Sequence, residues 1–527
     1  MSRSTTMPGS PVTRQVARAG ALTGIGAVVS ALAGLIFTVA AGRTLGTAGA
    51  GVVFVLTSLF TIATTVLKLG TDTTAVRVAA RLVALGRGRD VRSVAWRLGL
   101  PVLVLTVLTA VAVLLLAPEV ARAALGRSST TEGAAASVLA LAILIPAQTL
   151  TVVLLALLRG VGDIRTLVLV DQVLKPVLRV VLVGGFALLM PGVLGVTIAW
   201  AAPVGVGIVI TVLVLRRRLA ALGSSDSSAS GAGEPEVPDA PDDSSSRTLW
   251  AYAMPRAIAQ AVEILTLSIG VTLVGRLAGA SEAGLFGAVN RLALAGMLVW
   301  QAVRIVVAPN FAGLLATGDL AGVRRLHQTG SGWIAALAWP GYLVLAAASV
   351  TVLRLFGEGF TAGAPALTVI ALAMLVPSLV GPAQALVLMA GWSSLGLAIS
   401  VVALATNLVL LFALVPDHGA LGAAVAWGAA VVLENGLYVA VVRVRLRLWA
   451  IGRPAIAAAL LASVVVGVPL GIAALAGGGE WVTIGVTVGA LLIYAASLGV
   501  MRRHVRLDEL VGALRGRGAG PGRATDR

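Results

Sequence analysis

Apolar runs of 22 to 28 residues recur along this 527-residue chain, separated by short charged or Gly/Pro-bearing breaks. A bilayer's hydrocarbon core is about 30 Å thick, and a helix needs ~20 residues to cross it. Runs of that length predict membrane-spanning helices. Fourteen are predicted, near 19–41, 48–69, 93–117, 134–158, 166–190, 192–215, 251–278, 283–308, 331–356, 363–390, 393–415, 419–442, 455–477 and 480–501. The first follows Arg3, Arg14 and Arg18 in the manner of a secretory signal. It is too long for such a signal's apolar region and a second span follows at once, so an uncleaved first helix is expected.

Composition narrows the class further. The chain is 58% apolar and 12% charged, with a mean hydropathy of +1.00. Soluble domains run at ~45–50% apolar and ~25% charged, so a soluble enzyme is excluded. There are no cysteines and only three histidines, His327, His418 and His504, so neither a metal site nor a cofactor is expected. The formal net charge of +17 reports topology and anionic headgroups before it reports nucleic acid, which is not an expected partner. With the N-terminus in the cytoplasm, 29 of the 39 basic residues fall in cytoplasmic segments and five outside. That asymmetry predicts a multi-pass protein with both termini cytoplasmic.

Residues 220–249 interrupt the pattern, being rich in Ser, Gly, Pro and Asp without an apolar period. They read as a flexible cytoplasmic linker. The predicted organisation is a six-helix bundle over 1–219, the linker 220–249, a second six-helix bundle over 250–450, two further helices over 451–503, and a basic cytoplasmic tail over 504–527. The bundles resemble each other. Pro191-Gly192-Val193-Leu194-Gly195 with Trp200 parallels His418-Gly419-Ala420-Leu421-Gly422 with Trp427 at an offset of 227. Arg43-Thr44-Leu45-Gly46 with Gly49 parallels Arg276-Leu277-Ala278-Gly279 with Gly284, Gly46 matching Gly279 at an offset of 233. Six spans per copy make these parallel repeats, with a pseudo-axis along the membrane normal and a central cavity between them.

No phosphate-binding Gly-x-x-x-x-Gly-Lys-Ser/Thr occurs, since the only lysines, Lys68 and Lys175, both follow leucine. A Gly-x-Ser-x-Gly elbow is also missing, and short loops leave no room for a soluble catalytic domain, so the chain is not expected to be an enzyme. The informative residues are ionisable groups inside spans: Asp171, Lys175, Arg179, Arg256, Glu263, Arg291, Arg304 and Glu434. Each costs ~2.5–3.5 kcal/mol at a helix centre, so eight facing lipid would cost roughly 20–28 kcal/mol. A watery interior or mutual pairing is expected instead. Asp171 and Lys175 stand one turn apart and can pair, Arg179 lies a further turn along, and Pro176 favours a kink. Arg256 and Glu263 share a face two turns apart. Arg256 and Arg304 lie near cytoplasmic ends, where snorkelling is an equal alternative. Five positive groups against three negative suit an anionic group such as a diphosphate better than a cationic drug. Glu263, Glu434 and Asp171 are candidates for ion coupling or structural pairing.

Ala33-Gly34-Leu35-Ile36-Phe37-Thr38-Val39-Ala40-Ala41-Gly42-Arg43-Thr44-Leu45-Gly46, followed by Gly49 and Gly51, resembles the first-helix end and tight external turn of the MOP superfamily's polysaccharide-transporter branch. Leu69-Gly70-Thr71-Asp72 with Arg77 and Ala79 is similar to its second-helix exit. The six-plus-six-plus-two layout matches over nearly the whole chain. The resemblance implies an all-α, MATE-like integral membrane protein of the bacterial plasma membrane, a Wzx-type flippase of lipid-linked oligosaccharides. It implies a lipid-linked anionic oligosaccharide as substrate, membrane lipid as surroundings, and polysaccharide polymerase and glycosyltransferases as candidate partners. Carried over by helix position, Lys175, Arg179, Arg256 and Arg291 would bind the substrate. A cation-coupled MATE-type multidrug exporter and a membrane scaffold for polysaccharide synthesis stay open beside it.

Overall fold

The computed structural model describes residues 11–126, 133–229 and 245–500. All regular structure among them is helical. The first stretch holds α1 (Pro11–Leu67), α2 (Thr71–Ala84), α3 (Val91–Leu115) and α4 (Ala117–Leu125). The second holds α5 (Ala134–Gly160), α6 (Ile164–Leu167), α7 (Lys175–Leu189) and α8 (Val193–Ala229). The third runs through α9 (Ser246–Ala278), α10 (Ala280–Ala316), α11 (Leu320–Ala347), α12 (Ser349–Arg354), α13 (Ala364–Val380), α14 (Ala383–Met389), α15 (Ser393–Leu446), α16 (Arg453–Ala462), α17 (Val468–Leu475) and α18 (Glu480–Val500).

Eleven helices among the described residues are long and apolar enough to cross a membrane. Two of them hold two predicted spans each. The apolar part of α1, Leu22–Leu67, has 46 residues and α15 has 54, about 70 and 80 Å at 1.5 Å per residue, more than twice the ~30 Å a bilayer core requires. Each is interrupted by a kink at one glycine held outside helical geometry, Gly46 at φ 65° and Gly419 at φ 51°. A side chain is strained at such positive φ, which is why glycine stands there. The fifth predicted span falls short of the count because it is broken. A wide π-helical turn over Val168–Leu174 joins α6 to α7. Its cause is Pro176, which lacks an N–H and crowds the carbonyl four residues back. Pro469 does the same after the π-turn of Ser463–Gly467. With these breaks counted, every predicted span has a helical counterpart.

Two boundaries differ from expectation. The ninth span, expected over 331–356, straddles the break at Ala348 between α11 and α12, and its long helix starts earlier, at Leu320. Asp319 caps that start by accepting from the Gly322 N–H at 2.7 Å. Hydropathy alone registers the apolar part of a helix and misses its polar beginning. Helix α8 continues to Ala229, ten residues into the expected linker, while 230–244 lie outside the described residues.

The chain forms two compact units. The first comprises 29–288 with 409–423. Its core joins α2, α3, α5, α8 and the start of α9 through Val91, Val94, Leu98, Leu155, Leu158 and Leu249. Within it, the second half of α1 runs against α9 and the start of α10 with almost no space between backbones. A Cβ on Gly51 would sit 1.7 Å from the Ala280 carbonyl oxygen, and one on Gly284 would sit 2.0 Å from that of Thr47. Residues 51 and 284, and likewise 47 and 280, differ by 233, so the repeat offset exchanges the two contacts as a local two-fold would. Thr47 and Ser281 hydroxyls meet at 2.8 Å on the same seam, and the Ser58 hydroxyl donates to the Ser268 carbonyl at 2.9 Å. The second unit comprises 289–408 and 424–500 together with 11–28. There α11 packs on α13 and α16. Tyr494 of α18 and Ala462, Val466 and Leu470 form a small core, and the Tyr494 hydroxyl donates to the Ala336 carbonyl at 2.8 Å.

Candidate functional site

The break in the fifth span carries the densest chemistry. Where α7 begins, Lys175 is buried, 3% exposed, and pairs with Asp171, whose side chain is 40% exposed. Its ammonium also donates to Gln148 Oε1 of α5 at 3.3 Å. The α-helical register alone would bring residues four apart together; here the pair bridges the end of the π-turn. A buried ammonium with one carboxylate at the surface side is a charge held in place, since removing either partner leaves the other without compensation. The expected pairing of Asp171 with Lys175 is present.

One turn on, Arg179 reaches α8. Its Nε donates to the Trp200 carbonyl at 2.9 Å, and the guanidinium lies over the Trp200 ring at 4.2 Å. Phe60 of α1 meets the same indole edge-on at 5.5 Å. Trp200 is therefore packed inside the fold, and it also fixes an arginine by cation–π contact.

In α9, Arg256 and Glu263 are both exposed. Neither makes a side-chain hydrogen bond or ion pair among the described residues. The stretch of α9 around Arg256 is clamped to the start of α2. Gly70, at φ 68°, lies so close to α9 that a Cβ would come within 2.3 Å of the Ala253 carbonyl oxygen. Asp72 accepts from Lys68 at 2.9 Å and from Gln260 at 3.1 Å, and Arg77 lies over Tyr252 at 4.5 Å. Burial alone would raise the Asp72 carboxyl, but Lys68, Gln260 and the Thr73 N–H together hold it below the ordinary carboxylate range. The Leu69-Gly70-Thr71-Asp72 motif with Arg77 thus serves as the α2–α9 joint.

The second unit holds the other spanning charges. Arg291 is exposed without a side-chain partner among the described residues. Arg304 lies over Trp300 at 5.4 Å. Glu434 accepts from the Ser400 hydroxyl at 2.9 Å. Ser400 in turn meets the Tyr438 hydroxyl at 3.5 Å, which accepts from Gln384 at 3.4 Å.

Asp171, Lys175, Arg179, Arg256 and Glu263 therefore belong to the first unit, and Arg291 and Glu434 to the second. Gln148, Gln260 and the Ser400–Tyr438 pair escape sequence reasoning because uncharged polar groups inside apolar runs barely alter hydropathy. Four-residue spacing within α15 between Glu434 and Tyr438 was the available signal. No group of three metal-ligating side chains occurs among the described residues.

The fold is that of MOP superfamily membrane transporters. The lipid II flippase MurJ in its inward closed conformation is similar at a TM-score of 0.70 and 12% identity, covering 92% of this chain and 100% of that one. An inward-facing multidrug resistance MATE transporter is similar at 0.62 and 14%, covering 81% and 98%. A MOP superfamily transporter from Pyrococcus furiosus, described as having a binding pocket of reversed polarity, is similar at 0.55 and 16%, covering 87% and 96%. No curated protein sequence matches this chain. A family model described as polysaccharide biosynthesis protein matches residues 16–314, and the chain belongs to that family.

Proposed function

We propose that this protein flips a polyprenyl-diphosphate-linked oligosaccharide from the cytoplasmic to the outer leaflet of a bacterial plasma membrane by alternating access, as part of polysaccharide biosynthesis. In this reading Lys175, Arg179, Arg256 and Arg291 hold the diphosphate, and the bundles 1–219 and 250–450 are the moving halves with both termini cytoplasmic. The observation that carries it is the state of Arg256 and Arg291. Both guanidinium groups sit in spanning helices, accessible and without a carboxylate partner among the described residues. Each would cost ~2.5–3.5 kcal/mol there unless an anion or water faces it. Bidentate hydrogen bonding to phosphate oxygens is what a guanidinium does best. MurJ, a lipid II flippase by its description, and the family description add support from outside the geometry. Each negative charge leaving the cytoplasm gains about 2.3 kcal/mol from an inside-negative potential of 100 mV.

The experiment is the double variant Arg256→Gln with Arg291→Gln in cells. Surface polysaccharide is expected to disappear while membrane abundance stays normal. Undiminished polysaccharide in the double variant overturns the assignment. A second reading, cation-coupled drug export, draws on Glu434 in its Ser400–Tyr438–Gln384 cluster and on the exposed Glu263. Under that reading Glu434→Gln raises sensitivity to cationic drugs.

A further inference from the structure

Away from these residues, a cavity of about 850 Å³ opens in the first unit between α3, α5 and α8. Its composition changes along its length. Arg89 and Arg92 line one end from the start of α3 and the turn before it, with Arg216 of α8 beside them. Leu103 of α3 and Leu150 and Leu154 of α5 line the rest. Arg92 and Leu103 are eleven positions apart, about 16 Å along a helix. Half of a bilayer's ~30 Å hydrocarbon core is ~15 Å. The cavity thus has a basic end and an apolar trough about as long as one leaflet is thick.

Two of the charges at the basic end, Arg92 and Arg216, are not locally cancelled among the described residues. Asp90 is held by Arg87 at 2.7 Å and Asp163 by Arg218 at 3.1 Å. Arg92 and Arg216 are exposed and make no side-chain hydrogen bond or ion pair among the described residues. Trp96, one turn beyond Arg92 on the cavity wall, is 61% exposed, as an indole seated at the interface would be. Gly99 widens the floor: with no side chain there, the next heavy atom is Leu150 Cδ1, 3.8 Å from where its Cβ would lie.

We propose that this cavity is a binding site for an anionic phospholipid of the cytoplasmic leaflet, phosphate on Arg92 and Arg216, acyl chain along Leu103, Leu150 and Leu154. The site depends on the cytoplasmic placement of this end, and not on what the protein transports. Basic recesses between spanning helices on the cytoplasmic side suit such headgroups, each interfacial arginine contributing about a factor of five in affinity. A zwitterionic lipid offers the same chains without net charge, so headgroup discrimination is the signature.

The test uses the full-length protein in detergent, titrated with phosphatidylglycerol, phosphatidylcholine or inorganic phosphate and read by native mass spectrometry. Retention of one phosphatidylglycerol at roughly 25-fold lower concentration than phosphatidylcholine is expected. Arg92→Gln with Arg216→Gln should weaken phosphatidylglycerol retention about 25-fold and leave phosphatidylcholine unchanged. Quenching by phosphatidylglycerol brominated on its acyl chains should drop in Trp96→Phe, which keeps the site readable even if the double arginine variant misfolds. Equal retention of the two lipids, retention unaffected by the double variant, quenching unchanged in Trp96→Phe, or displacement of the lipid by millimolar phosphate would each overturn the assignment.

Discussion

Replacing Asp171 with Asn leaves the Lys175 ammonium, which is 3% exposed, without a counter-charge and with only neutral acceptors such as Gln148 beside it. Breaking a buried pair by removing one member costs about 3–5 kcal/mol. Asp171 is 40% exposed, so water screens part of the attraction, and about 2–3 kcal/mol is the expected loss after that discount. In a chain of this size such a loss lowers Tm by a few degrees, read by tryptophan fluorescence of the purified protein on heating. Adding Lys175→Met removes the stranded charge and restores apolar packing, so the double variant should regain most of the lost stability. Function should part from stability there: polysaccharide export stays absent in the stable double variant, because the cation is gone. Two results refute this reasoning. One is an Asp171→Asn protein as stable as the parent. The other is a double variant that exports normally, which would make the pair a structural clasp and nothing more.

Four further outcomes follow from the same geometry. Gly51→Val should prevent the α1–α10 seam from closing, since even a Cβ falls 1.7 Å from the Ala280 oxygen; the expected readout is a large loss of folded protein on gel filtration, or a folded chain in which cysteines placed at 47 and 281 no longer cross-link. Arg179→Lys should lose more export than its retained charge suggests, because a lysine cannot combine the Trp200 stacking with the carbonyl hydrogen bond. The Asp72 carboxyl is depressed in the folded protein, so its contribution is complete above the ordinary value of 3.8 and is lost as pH falls below it; Tm measured from pH 5 to pH 3 should fall more steeply in the parent than in Asp72→Asn. Deleting 230–244 should leave export intact, whereas a scaffold docked through that acidic segment would fail.

Much of the architecture was legible because a bilayer leaves few options. With no water at its centre, backbone groups must bond within their own helix, so apolar length translates directly into spans. The glycines that mark the repeat, Gly46 and Gly279, stand at φ 65° and 93°, each ending a helix in the same way. Proline chemistry made the break at Pro176 readable in advance. The site was half legible for the same reason. Charges inside apolar runs announce themselves, but their partners do not. Nothing in the spacing of Arg179 and Trp200, 21 residues apart, says that one caps the other. Nor does hydropathy distinguish the paired Lys175 from the accessible Arg256, since pairing depends on which helix lies alongside. Asp72 and Arg77 were visible as a motif and only the packing of α9 revealed them as a joint.

The most direct measurement is lipid flipping by the purified protein in vesicles, using a fluorescent polyprenyl-diphosphate oligosaccharide and an imposed inside-negative potential. Movement that accelerates with the potential, vanishes in Arg256→Gln with Arg291→Gln, and fails for a polyprenyl glycan lacking phosphate is the expected result. Movement indifferent to headgroup charge and to both arginines, or uptake of a cationic dye in its place, would contradict it.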